Sequence, residues 1–190
     1  MVRLIDLTVT LDPANREKLP TRARALAGVI APEIEYLHPA EAGGRDEFCA
    51  SLGCEPDGLT DGEGWGAERL SDMSSHCGTH VDAPLHSGSH NQGKPARTIT
   101  DISLDELFCP GLVLDVRPWA RNGEEIDIEM LDSALKETGC AIEKGSAVLI
   151  RTGQERFSMD DPEFFIQPGM SRASTLHLIT QGATVLGTDA

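Results

Sequence analysis

Between Ser75 and His86 the chain reads SHCGTHVDAPLH, which holds His76, Cys77, His80, Asp82 and His86. Each of these side chains can bind a metal ion or move a proton. Three of the six histidines fall in this one stretch. A helical His-x-x-x-His would stack two imidazoles one turn apart, with a Glu beside the first His. Cys77 stands in that place, Gly78, Thr79 and Val81 disfavour a helix, and Pro84 prevents its continuation. An extended or irregular backbone is therefore expected. Alternate side chains of an extended chain share a face. His76, His80, Asp82 and His86 are all even-numbered, whereas Cys77 points the other way and is expected to be a small core residue.

Distance refines this grouping. His80 and Asp82 are two residues apart, about 6.6 Å along a strand, and can chelate one ion. His76 and His80 would stand about 13 Å apart on a straight strand, near the limit of joint reach. A bend is required, and Gly78 is the residue that permits one. Two imidazoles, one carboxylate and an open position make the pattern of a catalytic rather than a structural metal. His86, just past Pro84, is close enough to act as a base toward a water at such an ion. The competing explanation is a surface loop with a chance cluster of polar groups. Four groups at even-numbered positions with a glycine hinge weigh against it.

The elements around this stretch alternate. Val2–Leu11 is aliphatic and β-branched and ends at Pro13, so a strand is expected there, with another at 34–38 (IEYLH). Residues 39–66 are rich in Gly, Asp and Glu and read as a long loop or lid. Asp57, Asp61 and Glu63 hint at calcium, but Leu59 occupies a position that needs an oxygen ligand, so a solvated acidic loop is the better account. Ser103 caps a short helix; GLVLDVR (111–117) is a buried-type strand. Asp127 and Gly139 bracket a helix with Ile128, Leu131 and Leu135 on one face. SAVLIRTG, a helix from Ser171 to Gly182, and ATVLGTDA follow. The expected fold is α/β, with a mixed, partly parallel sheet and βαβ units in the C-terminal half.

Bulk properties narrow the function. A chain of 190 residues with 39% hydrophobic and 25% charged residues can build one domain with a real core. A net charge of −15 argues against nucleic acid and against anionic membranes. The N-terminus is broken by Arg3, Asp6 and Asp12 and does not read as a signal peptide. No apolar run approaches the roughly 20 residues of a membrane span. Five scattered cysteines without a C-x-x-C pair fit a reduced, cytoplasmic protein.

HCGTHVDAPLH resembles the H-x-G-T-H-x-D-x-P-x-H motif of the metal-dependent cyclase-like hydrolases, which include bacterial kynurenine formamidases and isatin hydrolases. The resemblance extends to IDLTVTL, GLVLDV, GSAVLIRTG and PGMSRASTLHLITQGATVLGTDA, and so spans most of the chain, the 39–66 loop apart. It implies that His76, His80 and Asp82 hold Zn²⁺ or Mn²⁺ and that His86 is the catalytic base. It also implies an α/β sandwich-like fold, a small-molecule substrate and a homodimer or larger homo-oligomer. Family chains continue past the GTDA strand and there supply a further His and an acidic residue; this sequence stops at Ala190, so a longer native polypeptide is expected. His38, His90 and His177 are poor substitutes.

The function expected is hydrolysis of an amide, cyclic amide or lactone bond in a small carbonyl compound, such as an N-formyl aryl amine or isatin. The alternatives are a lactone or cyclic-imide hydrolase with the same centre and a non-catalytic metal-binding protein. A serine or cysteine nucleophile is disfavoured, since no G-x-S-x-G occurs and Cys77 faces away from the base. Trp65, Trp119 and Phe157 are the aromatic candidates for a substrate pocket.

Overall fold

The computed structural model describes residues 3–190. Its contacts divide into two compact units, the first ending at Val81 and the second running from Asp82 to Ala190.

In the first unit, residues 3–11 are extended but carry no sheet pairing among the described residues. The strand expected over Val2–Leu11 is thus corrected for its described part, and Val2 lies outside the described residues. Aliphatic, β-branched sequence favours an extended backbone, but a strand exists only where a neighbour accepts its hydrogen bonds. Short helices α1 (Asn15–Lys18) and α2 (Ala27–Ile30) follow. Strands β1 (Glu33–Leu37) and β2 (Ala67–Ser71) pair antiparallel, with Glu35 opposite Arg69 and an Arg69–Glu35 ion pair at 2.8 Å. Between them residues 39–66 are not bare loop. They contain a π-helical turn (Ala42–Asp46), helix α3 (Glu47–Leu52) closed by Gly53 at φ 67°, and an edge-on contact of Phe48 with Trp65.

The second unit begins with a small hairpin of β3 (His90–Asn91) and β4 (Lys94–Pro95), turned by Gln92 and Gly93, both at positive φ. Helix α4 (Leu104–Leu107) starts in a capping box: Ser103 receives the Glu106 amide and the Glu106 carboxylate receives the Ser103 amide. Strand β5 (Gly111–Asp115), the short β6 (Glu125–Ile126), helix α5 (Ile128–Thr138), strand β7 (Ser146–Arg151), the short β8 (Gly169–Met170), helix α6 (Arg172–Gln181) and strand β9 (Ala183–Thr188) complete the chain. The main sheet is parallel, in the order β5-β7-β9, so α5 and α6 lie in the two crossovers. This is the α/β, partly parallel arrangement expected for the C-terminal half.

Local chemistry explains why these elements start and stop where they do. The Asp127 carboxylate accepts the Met130 amide at the start of α5, and Gly139 at φ 66° ends it. Ser171 accepts the Ser174 amide at the start of α6. Along β7, Val148 and Ile150 face inward and meet Leu114, Leu131, Ala134 and Leu178 in one apolar core. Each fully buried Leu or Ile contributes on the order of 1.5–3 kcal/mol. On the surface of the same unit, the His177 ring of α6 meets Asp132 of α5 at 2.7 Å.

The carboxyl ends of the parallel strands are tied by Asp189. Its carboxylate accepts the Thr152 amide (2.7 Å), the Thr152 hydroxyl (2.8 Å) and the Gly153 amide (2.8 Å). Burial pushes this carboxyl up, but the hydrogen bonds from Thr152, Glu155 and Gly153 together outweigh it and hold it below the ordinary 3.8. A carboxyl depressed on folding stabilises the fold above its unfolded value and ceases to do so as pH falls through its folded value. We predict that Thr152 and Gly153 amide protons stay protected above about pH 4 and lose protection progressively below it, read by hydrogen exchange at stepped pH. Asp189→Asn should remove that pH dependence. Protection unchanged down to pH 2 in the folded wild type would contradict the clip.

Candidate metal centre

After β2 the backbone leaves the sheet through Asp72 at φ 46° and turns over residues 75–79. The Ser74 hydroxyl oxygen accepts the His76 amide (3.1 Å) and the Ser74 carbonyl accepts the Cys77 amide (3.1 Å). Gly78 completes the turn at φ 65°. A side chain there would be strained by that angle. Its Cβ would also stand 2.6 Å from Leu11 Cδ2. The Val9 amide, in the same segment as Leu11, donates to Thr79 Oγ1 at 2.9 Å. Leu11 and Val9 therefore brace the turn from the N-terminal segment.

The turn brings the His76 and His80 rings together. His76 Nδ1 lies 3.1 Å from His80 Nε2, with ring centroids 4.9 Å apart and planes at 78°. His80 Nδ1 is 2.8 Å from the Gly78 carbonyl oxygen. A carbonyl only accepts, so Nδ1 carries the proton and Nε2 presents its lone pair. A ring fixed by a backbone carbonyl behind it is the usual support of a metal-ligating histidine. One ligand atom each from His76, His80 and Asp82 lies within 4.8 Å of the others. Around a tetrahedral zinc, neighbouring nitrogen ligands stand roughly 3.3 Å apart. The two imidazoles already have that spacing. The donor set of two imidazoles and one carboxylate suits Zn²⁺ or Mn²⁺.

His86 lies on the 3-10 turn Pro84–Ser87, its Nε2 3.9 Å from Asp82 Oδ2. That is too long for a direct hydrogen bond and is an ion-pair distance when His86 is protonated. Cys77 is buried, with its Sγ 3.5 Å from the Gly28 carbonyl oxygen. His38 and His90 make local contacts, with the Ala40 amide and Ser89 Oγ respectively.

A cavity of about 470 Å³ opens beside His80, walled by Val9, Leu11, Met73, Ser75 and Thr79. The aromatic residues expected around a substrate are elsewhere. Trp65 packs on Phe48, Trp119 lies against the apolar core, and Phe157 lies under the Arg156 guanidinium at 4.6 Å. Val9 and Leu11 are legible only as N-terminal strand sequence, because nothing in their spacing says which turn they will brace.

The comparisons with known proteins agree with this architecture. The family model described as "Putative cyclase" matches residues 5–190, and the chain belongs to that family. It is 31% identical over 119 residues to a kynurenine formamidase from Salinibacter ruber (strain DSM 13855 / M31), a match covering 62% of this chain and 49% of that protein. The chain thus spans about half the length of this curated relative. Among solved structures, isatin hydrolase A from Ralstonia solanacearum superposes with a TM-score of 0.64 at 20% identity, over 98% of this chain and 66% of that one. Isatin hydrolase A from Labrenzia aggregata, bound to benzyl benzoate, gives 0.62 at 22% identity, over 98% and 67%. At these identities the structures show the fold.

The geometry makes Gly78 the residue on which the convergence depends. Strained backbone costs of order 1–3 kcal/mol. Gly78→Val is therefore expected to weaken divalent-cation binding by about tenfold or more, measured by competitive titration against a fluorescent chelator. Unchanged affinity in a folded Gly78→Val protein would show that the turn does not set the ligand positions.

Proposed function

We propose that this chain carries the metal-binding part of a hydrolase that cleaves an amide, cyclic amide or lactone bond in a small carbonyl compound. The observation that carries the proposal is the convergence of His76, His80 and Asp82 to within 4.8 Å, with His86 beside Asp82. Two imidazole nitrogens and a carboxylate would hold Zn²⁺ or Mn²⁺ and leave coordination positions open for water and substrate. When bound, such a cation polarises a carbonyl oxygen and acidifies a water. The Gly78 carbonyl keeps the His80 ring in the tautomer and orientation that binds. His86 receives the proton of the attacking water and passes it to the leaving nitrogen or oxygen. Asp82 orients His86 through the gap between their side chains. The cavity beside His80 takes the body of the substrate between Val9, Leu11 and Met73 and the hydroxyls of Thr and Ser residues.

The named relatives, a kynurenine formamidase and isatin hydrolases, support N-formyl aryl amines and isatin-like cyclic amides as the substrate class. Lactones and cyclic imides present the same carbonyl to the same groups. The resemblance also supports a homodimer or larger homo-oligomer. The five free cysteines support a reducing, cytoplasmic setting.

Metal analysis of the purified protein, coupled to ultraviolet assays with formylkynurenine, isatin and simple lactones, tests the proposal. His80→Ala and Asp82→Ala are expected to lose stoichiometric metal. His86→Ala is expected to keep the metal and lose turnover by about 10²–10⁴-fold, the usual contribution of a general base. Loss of metal from His86→Ala would make His86 a ligand instead. Stoichiometric metal with no turnover on any of these compounds would favour a metal-binding protein without catalysis.

A further inference from the structure

A second cavity, of about 540 Å³, lies in the same unit, bounded by Arg16, Arg24, Gly28, Asp72, Met73 and Ser74. Met73 is a wall of both this space and the one beside His80, and Ser74 and Ser75 face one cavity each. The two spaces therefore adjoin along residues 72–80. They differ in chemistry. The wall beside His80 mixes Val9, Leu11 and Met73 with the hydroxyls of Thr8, Thr10, Ser75 and Thr79, whereas this one carries two guanidinium groups and one carboxylate.

The two arginines are not equivalent. Arg16 is committed: it donates to Asp72 Oδ2 at 2.5 Å and to the Ala31 carbonyl at 3.0 Å. Asp72 is held in that pair by its left-handed backbone and by Gly28, since a Cβ at Gly28 would stand 2.6 Å from Asp72 Oδ1. Arg24 has no hydrogen bond or ion pair from its side chain among the described residues. Among the described residues it is a cation without a partner, on a cavity wall of a chain whose net charge is −15. On the wall of the same cavity, Ser74 accepts the His76 amide through Oγ and still has its hydroxyl proton to give. A guanidinium fork and a hydroxyl together fit a carboxylate.

We infer that Arg24 is a specificity-determining residue that binds a carboxylate carried by the substrate away from the bond that is cut. The inference rests on the hydrolase reading and narrows its substrate class to acylated aryl amines or cyclic amides that bear a carboxylate. Such a substrate spans Met73, with its carboxylate at Arg24 and Ser74 and its scissile carbonyl at the His76–His80 end. The Arg24 cation also offsets the repulsion that an acidic substrate meets from the rest of the chain.

Two measurements on the full chain test this. The first compares kcat/KM for 3-formamidobenzoate and its uncharged counterpart 3-formamidobenzamide. The wild type should prefer the carboxylate by about tenfold, the preference should vanish in Arg24→Ala mainly through KM, and Arg24→Lys should keep part of it. The second titrates benzoate and benzamide by NMR into the protein both as purified and after chelation, so that carboxylate bound to metal is separated from carboxylate bound to Arg24. Benzoate should bind the more tightly after chelation, and Arg24→Ala should remove the difference. A wild type without carboxylate preference, or a preference unchanged in Arg24→Ala, overturns the inference. Benzoate discrimination without hydrolysis of either anilide would sink the hydrolase reading alone. Hydrolysis of both anilides without discrimination would sink this inference alone.

Discussion

The close approach of His76 Nδ1 and His80 Nε2 is the interaction on which the candidate centre depends. Two imidazole nitrogens 3.1 Å apart cannot come from a straight strand, where their residues would be separated by four times the strand rise. The backbone folds back instead, through a turn that needs a left-handed residue at 78. Glycine supplies it without a Cβ that would collide with Leu11. The turn is held from several directions: by Ser74 at its start, by Leu11 and the Val9–Thr79 hydrogen bond on one side, and by buried Cys77 against Gly28. These contacts are individually weak, so the turn is fixed by their number and by the one residue type that removes its strain.

The C-terminal half shows a different economy. Its sheet is stabilised by a shared apolar core and by ends that are closed one at a time. Asp127 and Ser171 cap helix starts, Gly139 ends α5, and Asp189 gathers the amides of Thr152 and Gly153. Each satisfies backbone groups that would otherwise lose water without gaining a partner.

What was legible in the sequence follows from this contrast. Strands β5, β7 and β9 and helices α5 and α6 were readable because their signals are local: apolar runs, a capping side chain, a closing glycine. The chemistry of residues 76–86 was readable from residue types and from Gly78. Its geometry was not. Even numbering grouped His76, His80, Asp82 and His86 on one extended face, yet the first three are gathered by a turn, and His86 rides a separate 3-10 turn. The N-terminal segment reads as a strand because periodicity reports what a backbone tolerates and not whether a neighbour pairs with it. Strand β2 (Ala67–Ser71) escaped because Glu68, Arg69 and Ser71 give it no apolar face; only its register against β1 makes it a strand. Arg24 carried no signal in sequence, since an unpaired guanidinium is recognised only once the partners of the other charges are known.

X-ray absorption at the metal edge of the zinc- or manganese-loaded protein tests the central claim most directly, because it reads the ligand atoms without requiring turnover. The account predicts a first shell of nitrogen and oxygen only, with the outer-shell scattering of two imidazole rings, at about 2.0–2.2 Å. A sulfur neighbour at about 2.3 Å would place Cys77 on the ion. A shell with no imidazole scattering would place the ion elsewhere. Either result would contradict a centre built on His76, His80 and Asp82.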